Sequence, residues 1–397
     1  MKSIDQVNFK GKKALVRVDY NVPLNDKMEV TGTMRIERTV PTVKKIVGDG
    51  GIAILMSHLG RPKGQVIDSM SLKYVVDAVS EIMGQKVYFL GDVLSDDIQE
   101  KVNNLKPGDI GILENLRFHQ EEMDGDVEFA GKIASLGDVY VNDAFGAAHR
   151  AHASTAVIAQ FFPGKSFAGY LLYNEVNNLD KTLVDIKRPF TVIIGGSKIS
   201  TKIDIIESLL DKVDTLILTG GMSYTFLKAF GEKIGDSLFE PDQLDTALNV
   251  LKSAYRKGVN LVLPVDSVCG DQYAPDASVI TTETNTIPDG WMGLDIGPKT
   301  ISKFSSVIKN SETILWNGPA GVFEFDKFSH GTNSVALCVA AATVSGSFSL
   351  VGGGDTITAV NKYGFRDFIS YISTGGGAML EYLEGKMLPG IEALEKY

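Results

Sequence analysis

The sequence predicts an α/β protein of two domains, each built on a parallel sheet. Three observations carry that prediction. Short apolar and β-branched runs recur along all 397 residues. Most are nearly continuous rather than alternating, as suits parallel strands covered on both faces. Helical stretches lie between them, and alternating strand and helix signals are the pattern of α/β architecture. The length, at roughly 100–200 residues per domain, asks for more than one domain.

In chain order, strands are predicted at 14–18, 52–56, 87–90, 110–113 and 139–141, then at 190–194, 215–218, 261–264, 313–315, 349–351 and 369–372. Residues 203–210 and 244–255 carry apolar side chains at helical spacing. Residues 170–186 (YLLYNEVNNLDKTLVDI) read as an amphipathic helix that Pro189 stops. Strand signals resume at Phe190, so the domain boundary is placed here. The expected division is a first domain over 1–170, a connecting helix over 171–188, a second domain over 189–378 and a terminal segment over 379–397.

Composition narrows the function. Hydrophobic residues make up 44%, and the formal net charge is -10. An acidic chain is a poor nucleic-acid binder, because phosphate backbones reward basic surfaces. A small anionic substrate responds to local charge and stays open. Cys269 and Cys338 sit in apolar stretches, with no disulfide framework or metal-ligand spacing, and read as small buried hydrophobes. Residues 1–13 lack the apolar core of a signal peptide, and no apolar run approaches the ~20 residues of a membrane span. The expected location is the cytoplasm, with no membrane or nucleic-acid partner.

The unusual residues fall just after the strands, where open α/β sheets bind ligands. The first half ends its strands in a polar, basic rim: Asp19 and Asn21; Ser57, His58 and Arg61; Arg117 and His119; His149, Arg150 and His152, with Arg35 nearby. Arginines so grouped suit a small molecule carrying carboxylate and phosphate, which guanidinium pairs bidentately. Arg35 reads as an unpaired cation on that rim. The histidines have no zinc-ligand spacing.

The second half ends its strands in glycine: Gly195-Gly196, Gly220-Gly221, Gly318, Gly352-Gly353-Gly354 and Gly375-Gly376-Gly377. Glycine lets backbone N–H groups approach phosphate. Gly353, Gly354, Asp355 and Thr356 run from a strand into a helix predicted at 356–363. An Asp there can cap the helix or hold Mg²⁺, which prefers oxygen ligands together with substrate phosphates. Lys198 and Lys202 are predicted on a helix start, four apart and on one face, where they oppose the dipole and suit a transferring phosphoryl group instead. P-loop, GxGxxG, GxSxG and protein-kinase signatures are absent.

Ten stretches in family order resemble the phosphoglycerate kinase family along nearly the whole chain. They are RVDYNVP (17–23), SHLGRPKG (57–64), LENLRFH (113–119), NDAFGAAHRAH (142–152), GGSKISTK (195–202), GMSYTFLK (221–228), LDIGPKT (294–300), WNGPAGVFE (316–324), GGGDT (352–356) and STGGGAMLEYLEGK (373–386). The resemblance implies two Rossmann-like domains facing each other across a cleft and joined by a hinge helix. It implies reversible transfer between 1,3-bisphosphoglycerate with ADP and 3-phosphoglycerate with ATP, using Mg²⁺. Carried over, Asp19, Asn21, Arg35, His58, Leu59, Gly60, Arg61, Arg117 and Arg150 bind the triose. Lys198, Lys202, Gly220, Gly221, Gly293, Asn317, Glu324 and Gly353 to Thr356 bind the nucleotide, with Asp355 facing the metal and Glu324 the ribose. The terminal residues 388–397 return to the first domain, and the molecule is a monomer.

The residues agree with that chemistry. The acceptor oxygen is ionised in both directions, so no general base is needed. Alignment and charge stabilisation must do the work, after domain closure excludes water. Arg35 and Lys202 are expected as the main cationic partners, assisted by Lys198 and by backbone N–H groups near Gly353 and Gly376. Thr219 stands where the family usually has glycine, and Ser197 and Ser223 where it usually has alanine. The alternative reading is a catalytically silent nucleotide-binding protein on the same fold.

Overall fold

The computed structural model describes all 397 residues. They form two compact units, Met1–Asn177 with Lys386–Tyr397, and Asn178–Gly385, so the division falls inside the helix Tyr170–Leu183.

The first unit contains six strands: β1 Lys13–Arg17, β2 Ile52–Met56, β3 Val87–Gly91, β4 Ile110–Leu113, β5 Val139–Asn142 and β6 Ser166–Ala168. They are all parallel, in the order β3-β4-β2-β1-β5-β6. The central strands are buried along nearly their whole length, which is why they read as unbroken apolar runs. β3 lies at the edge and leaves Tyr88 and Phe89 exposed. β6 spans three residues, too few to show a period in the sequence. One face of the sheet packs Val16, Leu55 and Ile112 against Val43 and Ile46 of the helix Val40–Gly48 and Val79 of the helix Val76–Met83. Each such fully buried side chain contributes about 1.5–3 kcal/mol.

The terminal helix Pro389–Lys396 closes onto this unit. Gly390 N donates to Ala148 O at 2.8 Å, and Gly164 N donates to Tyr397 O at 2.5 Å.

Directly after β5, Asp143 Oδ1 accepts from the backbone N–H groups of Leu171 (2.9 Å) and Leu172 (3.3 Å), at the start of the helix Tyr170–Leu183. Helix N-termini leave such donors unsatisfied, and the carboxyl serves them. Complete burial nevertheless raises its pKa to about 7, since no cation offsets the desolvation. The native state therefore keeps this proton where the unfolded chain has lost it. Stability falls as pH rises from about 4 through about 7 and then levels, by on the order of 4 kcal/mol for this group. Asp143→Asn keeps an acceptor oxygen without the charge. Its urea midpoint should vary less with pH across that window than the wild type's; parallel curves would show that Asp143 does not titrate there.

The second unit contains β7 Phe190–Ile194, β8 Thr215–Leu218, β9 Lys233–Ile234, β10 Asn260–Val262, β11 Asp266–Gly270, β12 Val279–Glu283, β13 Thr286–Ile287, β14 Met292–Ile296, β15 Thr313–Asn317, β16 Phe348–Gly352 and β17 Tyr371–Ser373. Six form a parallel sheet in the order β10-β8-β7-β15-β16-β17. Counted along the chain, that is the doubly wound order, which reverses between its first and fourth strands. A separate antiparallel sheet, β12-β11-β14, and the short pair β13-β9 were not predicted. β12 (VITTE) has three polar residues in five and no buried one, and β14 (MGLDI) contains a glycine, so neither shows the apolar run that marks the other strands.

Three sequence expectations need correction. The chain after β7 does not enter a helix at Lys198. Residues 195–202 form a loop, and the helix is Ile203–Leu209. Lys198 and Lys202 therefore share no helical face. The helix predicted from Thr356 begins earlier, at Gly354. Cys269 is fully buried, as expected, but Cys338 is only half-buried. No helix is long and apolar enough to cross a membrane.

Candidate active site

In the first unit the strand order reverses between β1 and β5, and the basic rim is assembled around the end of β1. Arg17, its last residue, is fully buried. Its Nε donates to Ser154 Oγ (2.8 Å), and its Nη2 lies 3.2 Å from His58 Nδ1. Ser154 in turn donates from Oγ (2.6 Å) and N (2.9 Å) to the buried carboxyl of Glu122. Burial pushes Glu122 up while Arg17 pulls it down, so the pair sits beneath the rim as a partly compensated charge.

Burial, with the positive charge of Arg17, Arg117 and Arg35, holds His58 well below its usual pKa. Burial and the same kind of repulsion lower His152 to about 4. At neutral pH the rim's positive charge therefore comes from arginine and not from these histidines. Arg117 is lowered to about 10 by burial and by Arg17 and Arg150, and still carries its charge. Its Nη1 donates to Gly60 O at 3.1 Å, whereas its buried Nε has no acceptor within the chain. Such a donor fits an incoming anion. His119, further out, pairs through Nε2 with Asp92 at 3.0 Å, which raises its pKa.

Several of the remaining rim residues are held by hydrogen bonds between separate strand-end loops. Asn21 Oδ1 accepts from Gly60 N (2.9 Å), and Asn115 Nδ2 donates to Leu59 O (2.7 Å). Arg35, expected to be unpaired, donates from Nη1 to Asp19 Oδ2 at 2.7 Å. Asp19 thus fixes the direction of a guanidinium that remains 39% exposed. Arg61 and Arg150 are exposed. Sequence reasoning placed no role on Arg17 or Glu122. Arg17 is legible only as a charge inside an apolar run and Glu122 only as one acidic residue in a polar stretch, and neither signal separates a buried charge from a solvated one.

In the second unit, the reversal lies between β7 and β15. Lys202 Nζ reaches across to Asn317 at the end of β15, donating to Oδ1 (2.5 Å) and to the backbone O (3.1 Å). An ammonium has three N–H donors, so one remains. Burial lowers Lys202 to about 8, with Asp355 acting in the opposite sense. Asn317 Nδ2 donates to Gly352 O (2.9 Å), and Thr356 Oγ1 accepts from Gly318 N (2.7 Å). Gly353 takes φ +92°, and a Cβ there would lie 2.7 Å from Asn317 Nδ2. Lys202, Asn317, Gly353 and Thr356 are thus one connected group.

Beside them opens a cavity of about 570 Å³, lined by Gly220, Gly221, Gly293, Glu324 and Asp355 among others. A Cβ on Gly293 would fall 1.8 Å from Tyr224 Oη, which is itself held by Ser267 Oγ at 2.8 Å. Only glycine lets this wall lie flat. The structure leaves Lys198 exposed on the loop and outside the cavity lining, and Gly376 at the turn before the helix Gly377–Leu383. Tyr224, Leu238, Met292 and Leu294 supply apolar wall that the motifs did not reveal. Thr219 is fully buried, its Oγ1 without a partner, and Ser223 Oγ donates to Gly220 O at 2.6 Å.

Two α/β units built on parallel sheets, one with an arginine rim and one with a glycine-lined cavity served by a partly buried lysine, define a phosphotransferase that works without a P-loop. Residues 4–386 match the family model for phosphoglycerate kinase. The chain is 52% identical to the phosphoglycerate kinase of Porphyromonas gingivalis, covering 99% of this chain and 100% of that one. It is 50% identical to the cytosolic phosphoglycerate kinase 3 of Arabidopsis thaliana, covering 99% and 98%. The solved phosphoglycerate kinase of Coxiella burnetii superposes with a TM-score of 0.90 at 39% identity, covering 99% and 98%. That of Pyrococcus horikoshii gives 0.85 at 28%, covering 100% and 98%. The chain belongs to the phosphoglycerate kinase family. It is a glycolytic phosphotransferase acting on a carboxyl group, and these likenesses do not favour a catalytically silent binding protein.

Proposed function

We propose that the first unit binds 3-phosphoglycerate and 1,3-bisphosphoglycerate on Asp19, Asn21, Arg35, His58, Leu59, Gly60, Arg61, Arg117 and Arg150. The second binds ADP and ATP on Lys202, Gly220, Gly221, Gly293, Asn317, Glu324 and Gly353 to Thr356, with Lys198 at its edge. The observation that carries this reading is Lys202: a partly buried ammonium held on two neutral oxygens, with one donor uncommitted, beside a cavity containing a carboxylate. A cation so placed costs desolvation and finds no anionic partner in direct contact within the chain. A phosphoryl oxygen would complete it.

Asp355 fits Mg²⁺, since a single exposed carboxylate opening a helix suits a metal that keeps waters and substrate phosphates. Consistently, no cluster of three or more His, Cys, Asp or Glu could hold a metal by protein groups alone. When bound, Mg²⁺ would neutralise charge on the nucleotide phosphates. The chain's own groups do the remainder. Lys202 holds the moving phosphoryl group from the nucleotide side, Arg35 meets it from the triose side, and backbone N–H groups near Gly353 and Gly376 assist. Attacking and leaving oxygens are both already ionised, so no side chain needs to move a proton. Bringing the two substrates into line and shedding water then supplies the rate. The enzyme works as a cytoplasmic monomer.

The test is an assay with 3-phosphoglycerate and Mg·ATP in which a coupled dehydrogenase consumes the acyl phosphate. Turnover that disappears with EDTA and returns with Mg²⁺ is the expected result. Turnover that survives EDTA would remove the metal from the reading.

A further inference from the structure

We infer that Glu240 is a positioning residue for the reaction, acting through the loop that carries Lys198 and Lys202. The inference rests on the proposed role of Lys202. Residues 195–202 form no helix and no strand, so something outside the loop must fix them. One end is tied by Gly195 N, which donates to Asn317 O at 2.9 Å, and by Gly196 N, which donates to Pro319 O at 3.1 Å. The other end is Lys202, whose backbone N donates to Ile199 O at 2.8 Å. The middle is held by the fully buried side chain of Ile199 and, at Ser200, by Glu240. Its Oε2 accepts from Ser200 N at 3.1 Å, and its Oε1 accepts from Ser200 Oγ at 2.5 Å.

The anchor is itself tied to its surroundings. Glu240 N donates to Oγ1 of the buried Thr225, at 3.1 Å, on the helix Ser223–Ala229. Pro241 follows, and a residue before proline is confined to extended backbone, as Glu240 is at φ −108° and ψ 103°. The carboxylate therefore joins a fixed helix to an otherwise irregular loop, two residues before the lysine that reaches Asn317. Two oxygens on adjacent donors of one residue set a direction as well as a distance. The charged groups nearby are Lys198, on the same loop, and Asp355, which faces Lys202 from the helix Gly354–Lys362. Asn317 brings no charge.

Freeing this loop would let Lys202 wander from its place, and displacement by about 1 Å can cost up to about 10²-fold in rate. Glu240→Ala should lower kcat by about tenfold to a hundredfold, with KM for 3-phosphoglycerate unchanged. Glu240→Gln keeps an acceptor for Ser200 N and should recover most of the loss. Ser200→Ala should cost less than Glu240→Ala, and the double variant should be no worse than Glu240→Ala alone, because both remove the same contact. The measurement is steady-state kinetics well below the unfolding temperature, with Lys202→Ala assayed alongside. A kcat within about twofold of wild type in Glu240→Ala, with Lys202→Ala crippled, overturns this inference and leaves the site assignment intact. Additive losses in the double variant overturn it as well. Normal turnover in Lys202→Ala overturns the site assignment, and this inference with it. If Glu240→Ala does not fold, Glu240→Gln combined with Ser200→Ala decides, since a pure stability defect lowers the folded fraction without lowering turnover per folded molecule.

Discussion

Lys202→Ala is expected to reduce kcat by about 10²- to 10³-fold while 3-phosphoglycerate still binds. The size follows from where the ammonium sits. Its pKa is lowered to about 8 because burial penalises the charge, yet at neutral pH most of it remains protonated. Charge preorganised in a place poor in water stabilises developing negative charge more strongly than an exposed lysine does. The two acceptors on Asn317 orient it without neutralising it. In the free enzyme, kcat/KM for Mg·ATP should accordingly decline above pH of about 8, as Lys202 loses its proton. Because Lys202 lies in the second unit, isothermal titration of Lys202→Ala with 3-phosphoglycerate should give nearly wild-type affinity. Loss of triose binding would mean that the division of substrates between the units is wrong.

Arg35→Ala should cost a similar factor in kcat, of order 10²-fold or more, with little change in stability. Its ion pair with Asp19 is partly exposed, and such pairs contribute about 0–1 kcal/mol. The denaturation midpoint should therefore stay close to wild type while turnover collapses. Arg35→Lys should rescue poorly. A guanidinium can hold Asp19 with one N–H and present others in a fixed plane, whereas an ammonium is a point charge. Unchanged kcat in Arg35→Ala would assign that residue to the scaffold.

The sequence made the sheet framework legible where burial is two-sided. β2, β4, β7 and β8 were placed to the residue, because a parallel strand covered on both faces has to be an unbroken apolar run. β12 and β14 escaped because an antiparallel sheet with an exposed face does not need such a run. The glycine runs pointed to the second unit's cavity for a similar reason. Only glycine tolerates φ +92° at Gly353, so the requirement is written in residue type; Gly293, which packs against a tyrosine hydroxyl, was named only through the family resemblance.

Charge was another matter. Sequence alone gave Arg35, Lys202 and the rim arginines as cations, but not their partners. Asp19 lies 16 residues from Arg35, Asn317 lies 115 from Lys202, and Ser154 lies 137 from Arg17. Lys198 and Lys202 looked like one helical pair and proved to be one exposed and one partly buried group on a loop. By itself the sequence determined the two-domain α/β plan and the glycine-lined strand ends, because these follow from local periodicity and from what each residue type permits, while the family came from the resemblance of ten motif stretches. Only the tertiary structure decided which histidines are neutral, which arginine is buried and how the lysine is held. Those properties depend on desolvation and on contacts between distant strands, and neither is a function of spacing along the chain.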